Sequence, residues 1–212
     1  MSPAYNGVRP DSKRIRADGL AGFTVRFSKT DSTQMPIYRL IMKLKWERYL
    51  KKLQAKGLVI GSGSQILEPC FLDPAHCFLI HIGENCTLAP GIRILAHDAS
   101  TKRHLGYTKI GRVSIADNCF IGSSSIILPG VSIGKNSIIG AGSIVSRDIP
   151  SNSVAAGNPI KIICSTQSYI KKMNLLMQHS PCYDDSYLIG SLTSEMKKKM
   201  ISDLSSGIGF IV

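Results

Sequence analysis

A repeat of six residues between positions 115 and 150 restricts the fold of this chain more than any other feature. The units read IADNCF, IGSSSI, ILPGVS, IGKNSI, IGAGSI and VSRDIP, so five of the six open with isoleucine. A helix has 3.6 residues per turn and cannot keep every sixth residue on one face. Fixed six-residue units are typical of a parallel β-helix, in which each opening residue stacks inside the coil over its counterpart. The sequence therefore predicts a mainly β fold, a left-handed parallel β-helix with three units per triangular coil.

The same spacing extends upstream and defines a domain over residues 58–163. Ile60, Ile66 and Leu72 open units, the register then slips, and the spacing resumes at Ile82. With the later units this predicts about five coils. Residues 98–109, DASTKRHLGYTK, fit no unit and are predicted to leave the coil as a protruding loop, where function tends to lie.

The ends of the chain have a different character. Residues 1–34 are a polar N-terminal tail without a sustained period. Residues 35–57 predict a helix whose apolar face includes Ile37, Leu40, Ile41, Leu44, Tyr49, Leu50 and Leu53. Its lysine-rich face has two interpretations, a peripheral membrane contact and the solvated side of a helix that caps the coil; capping is the commoner role. Residues 164–212 predict a helical extension that packs on the flank of the coil.

Composition limits the partners and the compartment. The chain of 212 residues has 26 Lys and Arg against 14 Asp and Glu, a net charge of +12. This excess suits a phosphate-bearing cofactor, an anionic polymer or lipid headgroups without selecting one, and no nucleic-acid partner is predicted. The six cysteines form no C-x-x-C pair, and Cys70, Cys86 and Cys119 fall at small inward positions of the units. With no apolar run of membrane-spanning length, we expect a cytoplasmic protein.

Two segments carry a family resemblance. LAPGIRILAHD and, after the loop, VSIADNCFIGSSSIILPGVSIGKNSIIGAGSIVSRDIPSNSVAAGNPIK resemble the hexapeptide-repeat acetyltransferases of the galactoside and maltose O-acetyltransferase type, over about residues 58–163. The nearest likeness is to the branch that modifies capsule, O-antigen and exopolysaccharide. The resemblance implies transfer of acetyl from acetyl-CoA to a sugar hydroxyl of a bacterial surface polysaccharide or its precursor, without a metal. It also implies a homotrimer with each active site between two subunits.

His97 is the candidate catalytic residue. A hydroxyl needs a base to remove its proton as it attacks a thioester, and histidine titrates in the right range. The family's base is a histidine at the end of a coil just before the protruding loop, where His97 lies. The alternative is a structural histidine in a turn. Asp98 follows directly and would point elsewhere in an extended chain, so a backbone carbonyl or a neighbouring subunit could orient the ring instead.

The predicted cofactor site runs along one corner of the coil. Ser123 and Ala141 are 18 residues apart, and their small side chains leave backbone N–H groups open to hydrogen-bond the amide carbonyls of pantetheine. The resemblance implies that Ser146, Arg147 and Lys161 contact the phosphates and nucleotide of coenzyme A. Arg147 and Lys161 could also be solvated surface charges.

Acceptor contacts are the least defined part of the site. Asp73, His76, Asn85 and Asp98 are the candidates for binding the carbohydrate acceptor, with an ordinary turn role as the alternative for each. Other activities on this coil remain open, including N-acetylation of an amino sugar and a non-catalytic scaffold, although a scaffold would be expected to lack His97. A zinc hydratase would use His76 and His81, but no third histidine lies upstream.

Overall fold

The computed structural model describes residues 31–212. The chain divides into two units, residues 1–40 and residues 41–212, and only the helical residues 31–40 of the first unit are described. Most of the predicted tail, residues 1–30, therefore lies outside the described residues. All of the site described below belongs to the second unit.

Short strands dominate the second unit. The helices are α1 (Asp31–Gln54), α2 (Lys102–Leu105), α3 (Thr166–Met177) and α4 (Ser194–Asp203). The strands are β1 (Val59–Ile60), β2 (Gln65–Ile66), β3 (Phe71–Leu72), β4 (Ile80–Ile82), β5 (Thr87–Leu88), β6 (Arg93–Ile94), β7 (His97–Asp98), β8 (Lys109–Ile110), β9 (Val113–Ile115), β10 (Phe120–Ile121), β11 (Ile126–Ile127), β12 (Ser132–Ile133), β13 (Ile138–Ile139), β14 (Ile144–Val145), β15 (Ser153–Ala156), β16 (Lys161–Ser165), β17 (Cys182–Tyr183) and β18 (Phe210–Ile211).

Three sheets of stacked parallel strands form the coil. The first sheet has the order β1-β4-β9-β12, the second β2-β5-β10-β13-β15 with β16 antiparallel at its end, and the third β3-β6-β11-β14. Because the chain visits the three sheets in turn and then returns to the first, it winds as a parallel β-helix. Ile121 pairs with Ile139 and Ile127 with Val145, so partners are 18 residues apart, as three six-residue units require.

The interior of the coil is built from the opening residues of the units. These side chains are fully or almost fully buried: Leu72, Ile82, Leu88, Ile94, Ile115, Ile121, Ile127, Ile133, Ile139 and Val145. The isoleucines and the valine among them are β-branched, a shape that suits stacked strands. Of the three cysteines predicted to point inward, Cys86 and Cys119 are buried and Cys70 is half-buried. The hydroxyl of Ser125 at another inward position donates to the carbonyl of Gly122 at 2.7 Å, which satisfies a buried polar group.

Tight corners explain the glycines at the second position of three units, Gly122, Gly134 and Gly140. A Cβ atom added to Gly122 would clash with the backbone nitrogen of Ala141 in the next coil, so glycine is required for the two backbones to approach. Another corner carries Asn85, Asn118, Asn136 and Asn152, all with φ between 52° and 59°. Asparagine tolerates this left-handed conformation better than most residues, which makes Asn85 a structural corner residue.

Helix α1 covers the first coil through a narrow stripe. Trp46, Tyr49 and Leu53 pack against the core, and the Trp46 indole donates to the carbonyl of Ile66 at 2.8 Å. Ile41 and Leu44, which were predicted to share the buried face, are exposed. At 100° per residue they lie about 140° to 160° round the helix from Trp46, too far to join the same stripe.

Two departures from the six-residue spacing lie near each other on the coil. Between β3 and β4 the chain makes an extra turn with a 3₁₀ segment, Cys77–Leu79, which accounts for the register slip after Leu72. Between β6 and β9 it forms the antiparallel pair β7–β8, connected through a 3₁₀ turn and α2. This hairpin is the predicted protruding loop. The coil resumes at β9, and Ile110, at the end of the hairpin, is 61% exposed.

The C-terminal region adds two capped helices. The Ser165 hydroxyl accepts from the backbone N–H of Ser168 at the start of α3, and Thr193 caps α4 in the same way. Thr166 donates its hydroxyl to the carbonyl of Asn136, which ties α3 to the coil. No helix within residues 31–212 combines the length and the apolar character needed to cross a membrane.

Candidate active site

His97 lies where the chain leaves the coil. It follows β6 and the fully buried Ala96, and it opens β7, whose partner is β8. Because Ala96 points into the core, the next side chain points outward, and that of His97 is 36% exposed. The ring is thus held on a short strand at the coil surface, open to a ligand on one side.

A buried carboxylate holds one nitrogen of this ring. Asp73 Oδ2 lies 2.5 Å from His97 Nδ1, and the Asp73 side chain has no solvent exposure. The carboxylate also accepts backbone N–H groups, from Ala96 at 3.0 Å and from Ala75 at 3.2 Å. These bonds fix its orientation, and Nδ1 of His97 is turned inward while Nε2 is left for chemistry.

Asp73 therefore has a different place from the one predicted. The predicted contact of Asp73 with the acceptor is wrong for this chain, because a fully buried carboxylate is out of reach of a carbohydrate. Asp73, and not a backbone carbonyl or a neighbouring subunit, orients the His97 ring. The two residues are 24 positions apart in the chain. The stacking of β3 on β6, which pairs Leu72 with Ile94, brings them together one coil apart.

The surroundings keep Asp73 ionised. Burial opposes the charged form, but the hydrogen bond with His97, the Ala96 N–H and the charge of the imidazole together outweigh it. They hold the pKa of the Asp73 carboxyl below its ordinary value. An ionised carboxylate beside Nδ1 stabilises the imidazolium that forms when Nε2 takes up a proton.

His76 stands beside this pair. Its ring centroid is 4.9 Å from that of His97, and its Nδ1 is 4.0 Å from Asp73 Oδ1, too far for a hydrogen bond. The three side chains offer nitrogen and oxygen atoms within 4.8 Å of one another. A tetrahedral ion with bonds of about 2 Å would hold its ligands more than 3 Å apart. Asp73 Oδ2 and His97 Nδ1, at 2.5 Å, are too close to be two ligands of one such ion, and they form a short hydrogen bond, so the cluster is arranged for a proton.

The two remaining acceptor candidates have structural partners. Asp98 accepts the backbone N–H of Ser100 at 2.9 Å and pairs with Lys109 Nζ at 2.7 Å. The hydrogen bond from Lys109, with those from Ser100, lowers the pKa of Asp98 to about 2. Asp98 thus holds the two strands of the β7–β8 hairpin together.

Asn85 lies on the corner between the first and second sheets. His97 lies on the corner between the third and first sheets, so the structure does not bring Asn85 close to His97.

Ser123 and Ala141 stack as predicted by their spacing. They occupy the corner between the second and third sheets, and the N–H of Gly142 donates to the carbonyl of Ser123 at 2.8 Å. Both residues are exposed, and within residues 31–212 neither backbone N–H has a protein acceptor. Pro90 holds the same corner position one coil earlier, where its carbonyl accepts from Ser124.

The predicted phosphate contacts lie at the end of the coil. Lys161 is exposed and pairs with Ala156 above the Ala141 corner. Arg147 donates from Nη2 to the carbonyl of Ile160, which ties the guanidinium to the segment that precedes Lys161. Ser146 lines a cavity of about 410 Å³ with Asp98 and the β8 segment.

Within one chain these groups occupy two different corners. His97 and Ser146 lie where the third sheet meets the first, whereas Ser123 and Ala141 lie where the second meets the third. The third sheet separates them.

Parts of the sequence match known proteins. The protein-family model described as "Hexapeptide repeat of succinyl-transferase" matches residues 112–147. A Saccharomyces cerevisiae protein named as a candidate acetyltransferase is 52% identical over 85 residues, which cover 39% of this chain and 43% of that protein. The galactoside O-acetyltransferase of Escherichia coli is 42% identical over 89 residues, 41% of this chain and 44% of that protein. The chain thus spans less than half the length of these relatives.

Among solved structures, a maltose O-acetyltransferase from Clostridium difficile is 31% identical. The match covers 53% of this chain and 72% of that one, with a TM-score of 0.45. A galactoside acetyltransferase in complex with coenzyme A is also 31% identical, over 56% of this chain and 70% of that one, with the same TM-score.

Proposed function

We propose, on the premise that this chain belongs to the hexapeptide-repeat acetyltransferases, that it transfers acetyl from acetyl-CoA to a carbohydrate hydroxyl. The observation that carries the proposal is the buried Asp73 carboxylate bonded to Nδ1 of the half-exposed His97. A carboxylate, an imidazole and an open Nε2 are the parts that a general base needs. The name of the Escherichia coli relative supports a sugar hydroxyl as the acceptor.

The proposed reaction uses this geometry. Nε2 of His97 removes the proton of the hydroxyl as its oxygen attacks the thioester carbonyl, and Asp73 stabilises the imidazolium that results. A C–O bond forms and the C–S bond then breaks. The proton on Nε2 passes to the departing sulfur, which leaves as the thiol of coenzyme A. Backbone N–H groups can stabilise the oxyanion of the intermediate, and placement of the two substrates supplies much of the remaining rate.

The cofactor is proposed to lie along the column of free N–H groups. Ser123 and Ala141 would donate to the amide carbonyls of pantetheine, since both groups are exposed and unpaired within residues 31–212. Arg147 and Lys161 would contact phosphates, and Ser146 the nucleotide end. The tie from Arg147 to the carbonyl of Ile160 supports a fixed guanidinium.

Replacement of Ala141 by proline tests the column. Proline removes one N–H donor, and Pro90 already occupies the equivalent corner two coils earlier, so the backbone of this corner can accept it. We expect KM for acetyl-CoA to rise about fivefold to tenfold, the effect of one lost hydrogen bond, with the midpoint of thermal unfolding little changed. An unchanged KM in the folded variant contradicts the proposed column. Ser123→Ala, which keeps the N–H, serves as the control.

The acceptor is proposed to be a bacterial surface polysaccharide or its precursor. The net charge of +12 suits an anionic polymer as well as coenzyme A. Incubation of the protein with acetyl-CoA and a panel of surface glycans, followed by free thiol release and by mass spectrometry of the glycan, tests this. Thiol release without any acetylated glycan would contradict it.

We also propose a homotrimer on a left-handed coil of about five turns. The separation of His97 from the N–H column within one chain supports sites built from two copies. Sedimentation of the active protein as a monomer would contradict the trimer, and a crystal structure would decide the hand and the number of coils.

Six free cysteines support a reducing compartment such as the cytoplasm, and cell fractionation tests that.

A further inference from the structure

A row of three aromatic rings leads from the proposed base to the protein surface. The His97 and His76 ring centroids are 4.9 Å apart with planes at 45°, and the His76 and Phe78 centroids are 6.0 Å apart with planes at 46°. Exposure is greatest at the far end, where Phe78 is 57% exposed. The row continues on the side of the base where the extra turn between β3 and β4 leaves the regular coil.

Contacts of the neighbouring residues fix the position of Phe78. Its neighbour Cys77 is buried, and the Cys77 thiol donates to the carbonyl of Leu53 at the end of α1. Gly57 has φ of +101°, and a Cβ atom added there would lie 2.8 Å from Cβ of Phe78. The backbone of Gly57 therefore packs closely against Cβ of Phe78. The 3₁₀ turn closes with the N–H of Leu79 donating to the carbonyl of His76 at 2.9 Å.

We propose that Phe78, backed by His76, is the surface on which the apolar face of the acceptor sugar rests. This inference depends on the proposed function and specifies how its acceptor is bound. A pyranose ring presents several C–H bonds on one face, and the electron-rich face of an aromatic ring attracts them while it shields apolar area from water. A sugar placed on Phe78 would lie near His97, because the His76 ring is 6.0 Å from the Phe78 ring and 4.9 Å from the His97 ring. Phe78 is thus a specificity-determining residue for an acceptor with an open C–H face.

The geometry also explains the additional residues in this coil. A regular unit after Leu72 would carry the chain directly to the first sheet, and no side chain would project beside His97. The inserted turn supplies both His76 and Phe78 while Asp73, at its start, remains buried under the base. The segment that begins at Asp73 therefore provides both the carboxylate that orients His97 and the aromatic side chains beside it.

Steady-state kinetics of Phe78 variants test the inference. The probe is methyl β-D-galactopyranoside, whose C3, C4 and C5 hydrogens lie on one face, with acetyl-CoA as donor and free thiol as readout. We expect Phe78→Ala to raise KM for the glycoside about fivefold to tenfold with kcat within about twofold, and Phe78→Tyr to restore it. KM for acetyl-CoA and its slow hydrolysis in the absence of glycoside stay unchanged. Ile201→Ala, which removes an exposed apolar side chain of α4, leaves all of these values unchanged.

Three outcomes would overturn the inference. One is an unchanged KM for the glycoside in Phe78→Ala. Another is dissociation of the Phe78→Ala assembly in sedimentation, which would mean that a second copy of the chain covers this ring. A third is wild-type protein that hydrolyses acetyl-CoA but is not stimulated by the glycoside. Wild-type protein that cleaves no acetyl-CoA under any condition contradicts the proposed function itself.

Discussion

His97→Ala is expected to lower the rate of acetyl transfer by about 10² to 10⁴-fold, the usual contribution of a general base. The loss should fall on kcat, because the imidazole acts on the reacting proton and the cofactor is proposed to bind on a different corner. Affinity for coenzyme A, measured by calorimetry, should remain within about twofold. Thiol release from acetyl-CoA with a glycan acceptor provides the rate.

A second histidine on the same coil supplies the matched control. His81 is exposed on β4, where it points away from the core. His81→Ala removes an imidazole of equal size outside the site and should leave kcat unchanged. Full turnover by His97→Ala would remove the proposed mechanism, and equal losses in both variants would point to a general effect on folding.

Asp73→Asn should produce the second large effect. Asparagine has nearly the same shape, but it lacks the negative charge, and its amide cannot accept at both oxygen positions. If the NH₂ group faces Ala96 and His97, Nδ1 must accept, Nε2 then carries the proton, and the base is blocked. If it faces Ala75, two donors oppose each other and the imidazolium loses its counter-charge. We expect kcat to fall about 10² to 10⁴-fold in either case.

Stability at two pH values separates this variant from a purely catalytic one. The folded-state pKa of Asp73 is lowered, so its contribution to stability is complete above the ordinary carboxyl pKa of about 4 and is lost as the pH falls through the folded value. Urea unfolding should therefore show Asp73→Asn about 1 to 3 kcal/mol less stable than wild type at pH 7. The difference should shrink as the pH falls below about 4.

Asp117→Asn is the control for a structural aspartate elsewhere on the coil. Its Oδ1 accepts the backbone N–H of Glu84 at 2.8 Å, so it also bonds to the main chain, but at a different corner. Its replacement can lower stability but should not change kcat. A difference in unfolding free energy for Asp73→Asn that stays constant from pH 7 to pH 3 would contradict the assigned role of that carboxylate.

Much of the candidate site could be predicted from the six-residue repeat. Once the units are counted in threes, Ser123 and Ala141 must share a corner, and the break after His97 must leave the coil as a loop. His97 is the last residue before that break and can transfer protons, but its role as the base is what the family resemblance implies. The same counting could have brought Leu72 and Ile94 together, and with them Asp73 and His97, but the register slip after Leu72 concealed the alignment.

The six-residue spacing of isoleucines by itself determined the winding of the chain, because only a coil with that repeat buries every opening residue on one axis. It could not determine which polar residues near a corner are buried, since that depends on the insertion between β3 and β4 and on the hairpin that follows β6. Only the stacked structure placed Asp73 beneath His97, separated Asn85 from the base, and set Phe78 outside the core. The reason is that these contacts join residues from different coils, and the spacing specifies the height of each residue along the axis but not how an irregular corner folds over its neighbour.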